Sequence, residues 1–209
     1  MAASIQAASP EQAALAIIEQ SGIRGGFIVH LGCGDGKLTA ALRINDSFQV
    51  QGIDRDPGKV TSAREHIHAL GVYGEVSAEH LNGKSLPYTD NLVNLLVCED
   101  ANTEGIPINE ILRVLVPNGI AYIKNADNGW KKTQKPRPDN IDEWTHFLHS
   151  ATGNAVAKDD VVGPPRHLQW IGNPRWSRHH DRMASTSAMV SAKGRLFYIM
   201  DEGSRISIQ

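Results

Sequence analysis

The sequence predicts an α/β fold built on a doubly wound parallel sheet, and three observations carry that expectation. Short apolar runs alternate with amphipathic stretches from Phe27 to Lys124. Glycine, proline or asparagine punctuates most of the joins. A glycine-rich loop, within "VHLGCGDGKLTAAL", follows the first apolar run and opens a helical stretch. Alternation of strand and helix specifies parallel strands covered on both faces.

The elements follow in order. Ser9, Pro10 and Gln12 form the N-cap, N1 proline and reciprocal N3 partner of a capping box, with a helix through Ile17 and Ile18. Gly22 is its C′ stop. Phe27 to Leu31 reads as a buried strand, and Leu38 to Arg43 as helix. Gln49 to Ile53 is a second strand, ending at Asp54. Pro57 to Leu70 is helical, with Gly71 after it. Tyr73 to Ser77 and Leu92 to Cys98 are the third and fourth strands. Ile108 to Leu115 is helix, and "PNG" turns the chain into a fifth strand, Ile120 to Lys124. Right-handed crossovers order such strands 3-2-1-4-5, a Rossmann-like sheet. The first domain is therefore 1–125. Residues 126–141, polar and bearing Pro136 and Pro138, read as a linker, and 142–209 as a mostly irregular tail. Within that tail Arg195 to Met200 is a strand framed by turns.

Bulk composition removes several function classes. The 209 residues carry 21 basic and 23 acidic side chains, for a formal net charge of −2. That balance argues against general binding to nucleic acid or anionic membrane. No apolar run approaches the roughly 20 residues that span a bilayer. The N-terminus lacks the positive region of a complete signal peptide, so the cytoplasm is the default compartment; a trimmed export signal would make it the periplasm. Cys33 and Cys98 cannot make a disulfide framework and read as small buried thiols.

Ligands of an open parallel sheet bind at the carboxyl ends of its strands, where the strand order reverses. Here that is the mouth between strands 1 and 4. Glycine there lets a ligand approach the main chain, and the following helix points free N–H groups at an anionic group. A Walker loop requires G-x-x-x-x-G-K-[ST]; Leu31 and Leu38 break it. The dinucleotide fingerprint G-x-G-x-x-G is also missed, because Gly32, Gly34 and Gly36 give G-x-G-x-G.

"VHLGCGDG" resembles instead the first motif of class I S-adenosylmethionine-dependent methyltransferases. "GIDRDP", "SAEHLNGKSLPYTDNLVNLLVCED" and "EILRVLVPNGIAYIK" are similar to the motifs that follow it, so the resemblance covers Ile23 to Lys124. It implies S-adenosylmethionine as cofactor and an unknown, small-molecule or other, methyl acceptor. His30, Gly32, Cys33, Gly34 and Gly36 would form the loop against it, with Asp54 and Arg55 at the ribose. Ala78 and Glu79 would flank the adenine. Glu99 would lie at the methyl-transfer end of strand 4, with Glu99 or Asp100 as the base. The chain departs from the family at His30 and Asn94, where acidic residues are usual, and nothing after Lys124 looks like the family's last helix and closing hairpin.

From Lys135 onward the sequence looks like the entry into a bacterial-type, pyrroloquinoline-quinone-like β-propeller. "SAKGRLFYIMDEG" would be a first blade strand and turn. The chain stops inside that blade, as a fragment or truncated gene would, so the quinone is not expected as its ligand. An unpaired blade edge invites self-association. Five of the nine histidines lie in 146–180. Were "DEWTHFLH" a helical turn, His146 and His149 would share a face, one turn from Asp142. No metal is assigned; His146, His149, His179 and His180 are the residues that could hold one. Two other functions stay open: a non-catalytic module of a quinoprotein-like scaffold or dehydrogenase, and a nicotinamide-binding oxidoreductase.

Overall fold

The computed structural model describes residues 9–100, 103–127, 129–161, 163 and 186–200. The chain divides into two units, Met1–Arg137 and Pro138–Gln209. The first holds α1 (Pro10–Ser21), β1 (Gly26–Leu31), α2 (Lys37–Ala41), β2 (Phe48–Asp54), α3 (Pro57–Ala69), β3 (Val76–His80), β4 (Val93–Cys98), α4 (Ile108–Val114), β5 (Leu115–Lys124) and β6 (Trp130–Gln134). Its sheet runs β3-β2-β1-β4-β5-β6, the first five strands parallel and β6 antiparallel to β5.

α1 begins as its sequence dictates. The Ser9 hydroxyl accepts from Gln12 N–H at 3.3 Å, and Gln12 Oε1 accepts from Ser9 N–H at 3.0 Å. Gly22 ends the helix at φ 77°. Alternate strand residues then supply two cores. Ile28, Val50 and Leu95 pack with Ala14, Ile17, Val60 and Ile67 of α1 and α3. Val29, Ile53 and Leu96 pack on the other face with Leu81, Leu86 and Ile111. Between β3 and β4 the second face is covered by a loop that Arg113 of α4 secures. Its guanidinium donates to Asp90 Oδ1 at 2.6 Å, to Glu110 Oε1 at 2.7 Å and to the carbonyls of Leu86 and Tyr88.

Three expectations are corrected. The third strand starts at Val76, because Tyr73 and Gly74 are used as a turn: Gly74 has φ 114° and donates to Val76 O. β5 starts at Leu115, with a register shift opposite Val93 to Leu95 that absorbs the PNG turn. The expected linker contains β6. Its lysines look like linker composition, yet charged residues are normal on an edge strand. Trp130 stacks on Tyr122 with centroids 4.8 Å apart. Lys132 Nζ donates to the Ser21 carbonyl at 2.7 Å at the end of α1, and Lys135 Nζ to Leu115 O at 2.7 Å. Both lysines satisfy carbonyls that helix or strand ends leave open.

In the second unit β7 (Thr186–Ala192) and β8 (Arg195–Met200) form an antiparallel hairpin. Lys193 and Gly194 join them at φ 51° and 73°, the double positive φ of a type I′ turn. "DEWTHFLH" is not helical. Thr145 N–H donates to His149 O at 3.0 Å, and His146 and His149 face one another across a tight turn. Bonds distant in sequence hold that turn open: Ser191 N–H donates to Trp144 O at 2.7 Å.

Gly36 gives a direct test of the fold. It has φ 80°, and a Cβ there would lie 2.8 Å from Ala63 Cα of α3. Gly36→Ala is expected to lower unfolding stability by about 1–3 kcal/mol, from left-handed backbone strain and overpacking. Urea denaturation checks it; an unchanged midpoint would reject the close approach of loop and α3.

Candidate functional site

The expected site residues collect at the carboxyl ends of β1 to β4. Gly32, Gly34 and Gly36 all have positive φ, at 78°, 55° and 80°. Gly32 N–H donates to Ile53 O at 2.8 Å, stitching the loop to β2. Gly52 on β2 makes room for it: a Cβ there would lie 2.6 Å from Cys33 Cβ. The three glycines therefore do different work. Gly36 admits α3, whereas a Cβ at Gly34 would meet nothing within 4 Å. Gly34 is the main-chain position with free space before it.

Asp54 ends β2 and is 2% exposed. Its Oδ2 accepts from Gly34 N–H at 3.1 Å and its Oδ1 from Asp56 N–H at 2.9 Å. One carboxylate thus joins the glycine loop to the turn into α3, whose N-cap is Asp56. Each oxygen keeps a second lone pair. The half-buried Arg55 accepts from His80 Nε2 through its carbonyl at 2.9 Å.

Ala78 is fully buried in the core, and its carbonyl accepts from Arg64 Nε at 2.8 Å. Glu79 is exposed and pairs with Arg64 at 2.9 Å. Cys98 of β4 pairs with Leu31 of β1. Glu99, exposed, and Asp100, half-buried, therefore leave the sheet beside Gly32. Cys98 Sγ donates to Asp100 O at 3.3 Å.

His30, expected in the loop against the cofactor, is buried with one ring nitrogen paired. Nδ1 lies 2.8 Å from Thr39 Oγ1 of α2, while Nε2 has no hydrogen-bond partner among the described residues. Burial pushes its imidazole down to about 4, against the pull of Asp54. Burial, then the Asp54 charge, pushes the Cys33 thiol up to about 12, so it stays protonated. Neither group supplies a cation or a thiolate at neutral pH.

The helix expected to present free N–H groups is only five residues long, and Asp35 Oδ1 takes the Lys37 N–H at 3.1 Å. Asn94 sits at the opposite end of the sheet, where its Oδ1 accepts from Phe27 N–H at 2.9 Å. Thr39 and Gly52 shape the loop and were not singled out from the sequence. Gly52 stood in "QGID"; nothing marked Thr39. A cavity of about 600 Å³ opens at the amino-terminal edge, between Phe27, Arg43, Asp46, Phe48, Tyr73 and Glu75. No glycine-loop residue lines it.

In the second unit His149 Nε2 lies 2.7 Å from Asp142 Oδ2, which also accepts from Lys158 N–H at 2.8 Å. Hydrogen bonding from the Lys158 and Glu143 main chain and from His149 holds the Asp142 carboxyl down at about 2. His146 is exposed and bonds to Thr145 Oγ1. No three metal-ligating side chains converge among the described residues. His179 and His180 lie outside the described residues. No helix among those residues is long and apolar enough to cross a membrane.

The fold and the loop define a Rossmann-like domain whose strand order reverses at β1 and β4. The methyltransferase domain family matches residues 25–184, and the chain belongs to it. S-adenosylmethionine is the cofactor of methyltransferase-domain proteins. The chain is 25% identical over 158 residues to the ubiquinone/menaquinone biosynthesis C-methyltransferase UbiE of Cronobacter sakazakii, covering 72% of this chain and 61% of that protein. It is 29% identical over 105 residues to human methyltransferase-like protein 27, covering 49% and 41% respectively. Among solved structures, the cyclase SpnF is 26% identical with a TM-score of 0.50, covering 55% of this chain and 44% of that one. The chain thus spans about three-fifths or less of the curated relatives' length.

His30 carries a pH prediction. Its folded value, about 4, lies below the unfolded one, which is about 6.5. The unfolded chain therefore takes up the proton first. The stability this contributes is present above about pH 6.5 and is lost as pH falls through 4. The His30 ring resonances should show no titration midpoint between about pH 5.5 and 7.5. An ordinary midpoint near 6.5 would reject the buried, neutral assignment.

Proposed function

We propose that this chain binds S-adenosylmethionine against its glycine loop and transfers the methyl group to an acceptor. One observation carries the reading. Gly34, in the loop after β1 and against the Asp54 carboxylate at the end of β2, has nothing within 4 Å of where a Cβ would lie, and the strand order of the sheet reverses at β1 and β4. The donor set fits the cofactor. Asp54 keeps a lone pair on each oxygen for ribose hydroxyls and stands across the loop from Gly34. Glu79 on the end of β3 is the polar group nearest in sequence to an adenine-flanking position. When bound, the cofactor supplies an electrophilic methyl on a sulfonium: the acceptor's lone pair forms the new bond to carbon as the carbon–sulfur pair withdraws to sulfur.

The protein's share is position and proton transfer. The loop bonds to Ile53 and Asp54 fix the backbone before any ligand arrives, which lowers the ordering cost of binding. Glu99 or Asp100, leaving β4 beside Gly32, takes the acceptor's proton. Holding acceptor and methyl in line supplies most of the rate.

A second reading has one observation in its favour. SpnF, a cyclase, shares the fold, and a fold does not fix a reaction. Binding without transfer would make the domain a ligand-sensing module. For the second unit, the I′ hairpin and its resemblance to a propeller entry support reading it as half of a four-stranded blade.

Calorimetry with S-adenosylmethionine, S-adenosylhomocysteine and NAD tests the assignment. The first two should bind saturably and NAD should not. Asp54→Ala should weaken binding by about 1.5–3 kcal/mol, the range for hydrogen bonds to a charged group. Unchanged affinity removes Asp54 from the site, and NAD binding alone overturns the proposal.

A further inference from the structure

Strand β8 of the hairpin is exposed on both faces from Arg195 to Ile199. Along β8, Leu196 is 56%, Phe197 53%, Tyr198 45% and Ile199 70% exposed, and Met189 of β7 is 47% exposed. Leu196 and Tyr198 lie on one face, Phe197 and Ile199 on the other, because side chains alternate along a strand. A strand apolar on both faces is patterned for burial on both. A two-stranded hairpin is marginal in water by itself.

The two edges of the hairpin differ. On the β7 side, Ser191 exchanges hydrogen bonds with Trp144: its N–H donates to Trp144 O at 2.7 Å, and its Oγ accepts from Trp144 N–H at 3.0 Å. Lys193 N–H donates to Glu143 Oε1 at 2.9 Å. On the β8 side, the main chain of Arg195 to Met200 pairs only with β7 among the described residues. Among the described residues, the edge without a second partner is thus that of the more apolar strand.

We propose that β8 pairs antiparallel with β8 of a second copy, making one four-stranded sheet about a two-fold axis. Self-complementarity argues for this occupant. A two-fold antiparallel pairing centred on Tyr198 sets Phe197 against Ile199 and Leu196 against Met200, apolar against apolar, with opposed residues on one face of the sheet. Charge selects the orientation. Lys193 and Arg195 both lie at the turn end of the hairpin. Antiparallel pairing sends the two cationic ends to opposite ends of the new sheet, whereas parallel pairing would set them side by side. A whole-chain net charge of only −2 adds little repulsion. The resulting sheet has the strand number of a propeller blade.

Sedimentation equilibrium of the intact chain over a concentration series tests it. The expected species is a dimer. Ile199→Lys and Leu196→Lys place a charge on opposite faces of the strand. Each should weaken association about tenfold or more, as an unpaired charge in an apolar interface does. Tyr198→Cys reports the pairing directly, because two copies of this strand should cross-link to a dimer under mild oxidation. Calorimetric binding of S-adenosylmethionine, which rests on the function proposed above and belongs to the other unit, is expected to be equal in all variants and shows that the first unit remains folded. A wild-type monomer throughout the series overturns the proposal. So does a dimer that both lysine variants leave intact and that the cysteine variant fails to cross-link.

Discussion

The candidate site depends on a buried carboxylate. Asp54 accepts from Gly34 N–H and Asp56 N–H, so the loop after β1 and the turn after β2 become one object. Hydrogen bonds to an ionised group are stronger than neutral ones. The other fixings add to this. Gly32 and Cys33 both donate to Ile53 O, and Gly36 lets the loop close onto Ala63. Thr39 ties α2 back to His30 on β1. A loop with three positive-φ glycines would otherwise be costly to order, since glycine loses more freedom on folding than any other residue.

The groups around that carboxylate lose their charge. His30 stays neutral and Cys33 stays a thiol, because burial disfavours the imidazolium and the thiolate alike. Among the described residues, Asp54 is the acidic side chain on β2 that accepts from the main chain of the loop. Two exposed acids flank the pair β1 and β2: Glu79 within β3, paired with Arg64, and Glu99 directly after β4.

Most of this was legible in the sequence where local chemistry and long-range packing agree. The capping box at Ser9 and Gln12, the glycine at 22 and the apolar runs of β1, β2 and β4 needed no tertiary information. The strand order followed from crossover handedness. What was not legible is what tertiary bonds impose. β6 is lysine-rich, and the Ser21 carbonyl taken by Lys132, with the Leu115 carbonyl taken by Lys135 just past the strand, explains why a lysine-rich segment belongs beside the sheet. "DEWTHFLH" has helical spacing, but Ser191 claims Trp144 from 47 residues away. Asp54 was found by its position, yet its bonds to the glycine loop required the fold. The Nε2 of His30, without a hydrogen-bond partner among the described residues, had no signal at all, because a buried histidine and a solvated one look alike in sequence.

β6 has a topological consequence. The five strands before it all run toward the glycine loop, and β6 runs back, so that Gln134 pairs with Ile120 well down the sheet. The chain therefore departs from the first unit on the side where the parallel strands begin. A chain that leaves there starts a strand's length, about 17–20 Å, from the mouth where the glycines lie.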